Sequence, residues 1–93
     1  MTSLSLAAYF GHPNMVHYLA EELGADINIA DNAGRTPLYV GALQGHPAVV
    51  RVLLKLRADI NQSDKEGMTP LMVASLQKHH EVVTWLVKAG ADT

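Results

Sequence analysis

The stretch at residues 36–47, TPLYVGALQGHP, decides the fold, because it recurs 33 residues later as TPLMVASLQKHH at residues 69–80. When residues 28–60 are laid over residues 61–93, 16 of the 33 pairs are identical. Unrelated segments of this composition would share only about two such positions. The chain is therefore built from internal repeats.

A third copy occupies the first part of the chain, with one extra residue between Ala20 and Gly24. We expect one domain, residues 1–93, made of repeats at about 1–27, 28–60 and 61–93.

Each repeat carries the signals of a turn followed by two helices. Asp31 and Gly34 favour a tight turn, because aspartate bonds to nearby backbone amides and glycine tolerates a positive φ. Thr36 and Pro37 then fit the N-cap and first position of a helix. The pattern predicts first helices at about 37–44 and 70–77, and a second helix from Pro47 to about Leu56.

A turn, a short helix, a reversal and a longer helix at a period of 33 residues resemble the ankyrin repeat, and the Thr-Pro-Leu stretches match its first-helix motif. The resemblance implies an all-α fold, an ankyrin-repeat solenoid of stacked helix–turn–helix units joined by β-turn loops. The motif's histidine is replaced by Ser5, Tyr39 and Met72, so we expect the loops between repeats to be less firmly tied.

Three further departures predict local weakness. Arg57 and Lys78 stand where other copies have a glycine in the left-handed conformation, and a Cβ there costs about 1 kcal/mol. Gly41 replaces alanine inside a short helix, at a similar cost. We expect an array of modest stability.

The composition excludes several classes of protein. Charged residues make up 17% and the net charge is −2, which argues against nucleic-acid and membrane partners. The chain contains no cysteine, so disulfides and thiolate chemistry are excluded. Without an apolar run long enough to span a bilayer, or a signal peptide at Met1, it is predicted to be soluble and intracellular, in the cytoplasm or nucleus.

The residues offer no catalytic, cofactor or metal site. His12, His46 and His79 fall once per repeat, about 10 Å apart in stacked helices, which is too far to share one metal. We interpret them as structural side chains that bond to neighbouring backbone. No nucleophile motif or phosphate-binding glycine loop is present. The chain is predicted not to be an enzyme.

The resemblance implies instead a protein-binding surface, formed by the turn tips and the exposed side of the first helices. Tyr9, Leu43 and Leu76 occupy equivalent positions and predict an apolar stripe there, although the next repeat could partly cover them. We expect Leu43→Glu to weaken binding without unfolding the chain. The full predicted surface comprises Tyr9, Phe10, Asn32, Arg35, Leu43, Gln44, Lys65, Met68, Leu76 and Gln77.

Two alternatives and one modification remain open. The chain could be a structural slice of a longer array, or could self-associate through its third repeat, whose second helix stays apolar and includes Trp85. It could also be the accessory segment of a larger enzyme. The resemblance further implies that Asn61 is a candidate for hydroxylation, favoured by Leu53 eight residues before it.

Overall fold

The computed structural model describes residues 2–91, and every regular element within that range is a helix. The predicted all-α class and solenoid of stacked helix–turn–helix units are confirmed. Met1, Asp92 and Thr93, at the outer limits of the predicted repeats, lie outside the described residues. The helices are α1 (Ser3–Phe10), α2 (Pro13–Glu21), α3 (Pro37–Gln44), α4 (Pro47–Lys55), α5 (Pro70–Leu76) and α6 (His80–Lys88).

The first helix of each repeat begins at a threonine cap. The hydroxyls of Thr2, Thr36 and Thr69 accept hydrogen bonds from backbone amides three residues further on, at 3.1, 3.2 and 3.2 Å. These bonds satisfy amides that the helix itself leaves unpaired. The predicted bounds of α3, α4 and α5 hold to within one residue.

The helices form two layers that share one core. In one layer α3 lies between α1 and α5, and in the other α4 lies between α2 and α6. The side chains of Leu38, Val49, Val50 and Leu53 are completely buried between the layers. Burying each contributes roughly 1.5–3 kcal/mol relative to exposure. The middle repeat is therefore the most fully enclosed.

The two left-handed positions predicted at Arg57 and Lys78 are confirmed, with φ of 67° and 62°. Gly41, in contrast, has a packing reason that the sequence did not reveal. A Cβ on Gly41 would lie 3.0 Å from Cγ1 of Val49, so the glycine allows α3 and α4 to approach closely.

The expectation of loosely tied loops is wrong at two junctions. The hydroxyl of Tyr39, which replaces the motif histidine, donates a hydrogen bond of 2.8 Å to Oδ2 of Asp64 in the next turn. The amide oxygen of Asn28 accepts a bond of 2.7 Å from the backbone amide of Asp59. The other two replacements fit the expectation in part: Ser5 accepts a hydrogen bond of 3.2 Å from the hydroxyl of Thr2 in its own helix cap, and the side chain of Met72 is half exposed.

Candidate protein-binding surface

Two aspartates shape the turn tips. Oδ1 of Asp31 accepts bonds of 2.9 Å from the backbone amides of Ala33 and Arg35. Oδ1 of Asp64 likewise accepts bonds of 2.9 Å from the amides of Glu66 and Met68. Because each carboxylate bonds two amides of its own turn, both tips adopt the same fixed loop.

The two tips are also joined to each other. The backbone amide of Lys65 donates a bond of 3.0 Å to the carbonyl of Ala33. Gly34 makes this approach possible, because a Cβ there would lie only 2.8 Å from the nitrogen of Lys65. The tips therefore form a continuous edge of the stack.

The bond between Tyr39 and Asp64 shifts both ionisations. The pKa of Asp64 is lowered, first by the hydrogen bond from the backbone amide of Met68 and also by the bond from Tyr39. The pKa of Tyr39 is raised by burial and by the bond to the Asp64 carboxylate. Both shifts favour a neutral Tyr39 and a charged Asp64 in this pair.

Histidines align the first helices. Nε2 of His46 donates a hydrogen bond of 2.9 Å to the carbonyl of Tyr9, and Nε2 of His79 donates one of 3.1 Å to the carbonyl of Leu43. The structural interpretation of these two side chains is confirmed. His12 is exposed, with its ring stacked against Phe10 at 6.5 Å. Each bonded imidazole holds its own repeat to the end of the preceding first helix.

The predicted stripe is exposed unevenly along this row. Tyr9 exposes 39% of its surface and Leu76 exposes 67%, whereas Leu43 is half-buried and packs against the core. The alternative of partial cover therefore applies to the middle position. A charged side chain at position 43 is therefore expected to destabilise the fold as well as to alter the surface.

The remaining predicted residues lie at three places. Asn32, Arg35 and Lys65 are exposed at the tips, and the Arg35 guanidinium lies 5.9 Å from the centre of the Tyr39 ring. Met68 is half-buried and packs on the core, while Gln44 is half-buried and Gln77 exposed at the helix ends. Phe10 lines a different cavity, at the outer end of the first repeat with Leu6 and Met15.

Sequence reasoning missed two features. The pair formed by Tyr39 and Asp64 could have been suspected, because Tyr39 stands where the motif has a hydrogen-bonding histidine. Trp85 is predicted only to lie on the apolar second helix of the third repeat; in the structure it is half-buried under Arg51 of α4, with 4.4 Å between Cζ and the ring centre. No signal in the sequence placed that ring.

The structure also bears on three other features: a metal site, a membrane-spanning helix and the candidate for hydroxylation. Within residues 2–91, no three histidine, aspartate or glutamate side chains converge on a position that could hold a metal. None of the helices in that range is long and apolar enough to cross a bilayer. Asn61, the candidate for hydroxylation, is exposed and lies in the loop between α4 and α5.

Comparison with known families gives one match that covers nearly the whole chain. The family described as ankyrin repeats matches residues 4–93, with three copies.

Three curated relatives share shorter segments. A transient receptor potential cation channel, subfamily A member 1, from Drosophila melanogaster is 43% identical over 56 residues, which is 60% of this chain and 5% of that protein. A 60 kDa lysophospholipase from Mus musculus is 53% identical over 34 residues, 37% of this chain and 6% of the relative. The palmitoyltransferase AKR1 of Saccharomyces cerevisiae is 44% identical over 54 residues, 58% of this chain and 7% of the relative. The matched segments thus span only a small part of each relative.

Proposed function

Because the chain belongs to the ankyrin-repeat family, we propose that it binds a protein partner along its turn tips and first helices, without catalysis. We call this the groove surface; its centre is Tyr9, Leu43 and Leu76, and its rim is the tips with Arg35 and Lys65. The observation that carries the proposal is the exposure of Leu76 and Tyr9 on helices that the histidines hold in line. Apolar anchors inside a charged rim are the usual energetic centre of an interface.

The sharpest test places a charge on Leu76. Leu76→Glu should cost any partner at the groove surface about 2 kcal/mol or more, because a hot-spot contact becomes an unpaired charge. The fold should change by only about 0.5 kcal/mol, since Leu76 is mostly exposed. Leu43→Glu is a weaker test because Leu43 is half-buried.

Matched controls separate binding from folding. Leu23→Glu alters a leucine of similar exposure, 62%, which lies beyond the end of α2 and off the groove surface. Val50→Glu buries a charge in the core and should unfold the repeat. Affinity purification and quantitative mass spectrometry should find proteins retained by wild type and Leu23→Glu but lost by Leu76→Glu. If the folded Leu76→Glu protein retains every partner, the groove surface is not where binding occurs.

A second candidate function is association end to end, either with further repeats or with another copy. Leu6 and Met15 expose 44% and 49% of their surfaces, whereas their equivalents in the second repeat, Val40 and Val49, are buried against the first. At the other end Met72 and Val87 are also half exposed, which supports self-association through the third repeat. Each Å² of apolar surface that stays in contact with water loses about 25 cal/mol of the stabilisation that burial would give.

Sedimentation at increasing concentration tests this alternative and identifies the end involved. Dimerisation suppressed by Val87→Glu assigns the third repeat, and dimerisation suppressed by Met15→Glu assigns the first. A strict monomer at high concentration contradicts self-association.

The third alternative, an accessory segment of a larger enzyme, is supported by the names of two relatives, a lysophospholipase and a palmitoyltransferase. Sequencing the complete transcript decides it. We place the binding activity in the cytoplasm or nucleus, which imaging of the tagged protein in its source cell tests.

A further inference from the structure

A cationic cleft lies in the second layer of helices, between α4 and α6. The half-buried indole of Trp85 forms its floor. The Arg51 guanidinium carbon lies 4.4 Å from the ring centre, and Nζ of Lys88 lies 5.6 Å from it. One aromatic ring therefore positions two cations, from different repeats, within about 10 Å of each other.

We propose that this Trp85 cleft binds a carboxylate-rich peptide segment of a partner protein. The site is separate from the groove surface, which is built on the first helices. Its volume is about 280 Å³, just below the range of roughly 300–1,000 Å³ typical of small-molecule pockets. A few peptide side chains fit such a space better than a whole cofactor. The cleft is lined by Arg51, Leu54, Lys55, Trp85, Lys88 and Ala89.

The charges of the cleft lack acidic counterparts on the helices that form it. The sequence of α4, PAVVRVLLK, contains no acidic residue, and Glu81, the acid of α6, lies in the first turn, two turns before Lys88. Arg51, Lys55 and Lys88 are all exposed, and like charges held close together repel each other. An anion between them relieves this repulsion and accepts charge-assisted hydrogen bonds.

The shape of the cleft selects a peptide carboxylate in particular. The Arg51 guanidinium lies over the indole face, and a guanidinium is a planar group whose N–H donors match a carboxylate with two parallel hydrogen bonds. Leu54 and Ala89 add apolar surface beside it, which suits an aliphatic side chain next to the acid. The preferred ligand alternates acidic and aliphatic residues.

A peptide fits the surroundings better than an anionic membrane. The first repeat has Glu21 in α2 at the position that Lys55 and Lys88 hold in α4 and α6, and Glu22 follows it. Because α2 packs beside α4 in the same layer, a flat anionic surface reaching the cleft would also meet these two acids. A peptide can occupy the cleft without extending that far.

The experiment uses the chain's own fluorescence, because Trp85 is its single tryptophan. The probe is a synthetic hexapeptide in which glutamates and leucines alternate, titrated into the full chain, with calorimetry as a second readout. We expect a saturable change in emission that weakens as NaCl rises to about 0.5 M, since salt screens exposed charges. The same peptide with glutamines in place of glutamates should not bind.

Variants locate the site. Arg51→Gln and Lys88→Gln should each weaken binding about tenfold, because a hydrogen bond to a charged group is lost. Lys65→Gln, an exposed lysine on the turn tips, should bind as wild type, and so should Leu76→Glu on the groove surface. Glutamine favours helices nearly as well as arginine and lysine, so folding is kept.

Each other outcome overturns the proposal. If the acidic peptide produces no saturable signal, or if the glutamine peptide binds equally well, the cleft does not recognise an acidic peptide. An equal loss for Lys65→Gln means diffuse attraction rather than a site. Binding to vesicles of phosphatidylcholine and phosphatidylserine without peptide binding assigns the cleft to a lipid surface instead.

Discussion

Gly45 lies directly beneath the imidazole that aligns the second and third repeats. Its φ is 71°, and a Cβ added to it would lie 2.5 Å from Nδ1 and 2.6 Å from Cε1 of His79. The same ring donates its hydrogen bond to the carbonyl of Leu43. Gly45→Ala therefore cannot be accommodated unless the imidazole moves away and its bond is lost.

Three effects add up in this variant. Alanine in the left-handed conformation costs roughly 1–2 kcal/mol. The lost hydrogen bond adds about 0.5–1.5 kcal/mol, and displacing a packed ring adds at least about 1 kcal/mol. We expect Gly45→Ala to lower the free energy of unfolding by about 3 kcal/mol. Gly24→Ala is the matched control, because Gly24 has a similar φ of 65° but no atom within 4 Å of its added Cβ. It should cost only the backbone strain.

Urea melts of the two variants measure the difference, provided that the slope m stays constant. Removing the ring in the double variant Gly45→Ala, His79→Ala should cost less than the two single changes together, because the clash disappears. If Gly45→Ala destabilises no more than Gly24→Ala, the imidazole does not pack on the glycine. The alignment of the first helices would then need another explanation.

Three further predictions concern the loops. Arg57→Gly should raise stability by about 1 kcal/mol, because it removes a Cβ from a left-handed residue at φ 67°, and a higher urea midpoint would show it. The lowered pKa of Asp64 stabilises the fold above the ordinary carboxyl pKa of 3.8, and this stability is lost as the pH falls through the lower folded value. The raised pKa of Tyr39 acts oppositely, with stability complete below pH 10.0 and lost above it as the pH rises through the folded value. Urea midpoints measured across the pH range should fall at both the acid and the alkaline end. The variant Asp64→Asn should reduce the fall at the acid end. Where an asparaginyl hydroxylase is present, Asn61 should be oxidised more than Asn28, which peptide mass spectrometry measures directly.

Local chemistry made the helices readable from the sequence. Threonine caps and prolines act within one turn of the chain, so the predicted span of 37–44 for α3 agrees with the structure. The left-handed residues were equally readable, because the repeats themselves showed which positions require glycine elsewhere. Features that join separate repeats were not. Tyr39 and Asp64 are 25 residues apart, and only the stack brings their side chains together.

Surface residues were harder still, because exposure depends on what the neighbouring repeat covers. Leu43 and Leu76 occupy the same position in the motif, yet one is half-buried and the other mostly exposed. The packing of Trp85 was likewise not readable from the repeats, because Arg51, whose guanidinium lies over the ring, is replaced by His17 and Thr84 at the equivalent positions. A stripe predicted from equivalence alone could therefore locate the surface but not rank its members.

The joint between repeats also makes the two ends of the stack unequal. At both internal junctions a glycine, Gly11 or Gly45, leaves room for the next imidazole, and Lys78 occupies the third such position in the same left-handed conformation. A repeat placed against α5 in the same way would bring its histidine onto the Cβ of Lys78, at the separation that excludes a side chain at Gly45. His12 faces the opposite end and could extend over a glycine supplied by another repeat. Head-to-tail stacking of two copies would set His12 of one against Lys78 of the other, so this geometry disfavours it. Lys78→Gly is the single change that removes the obstacle.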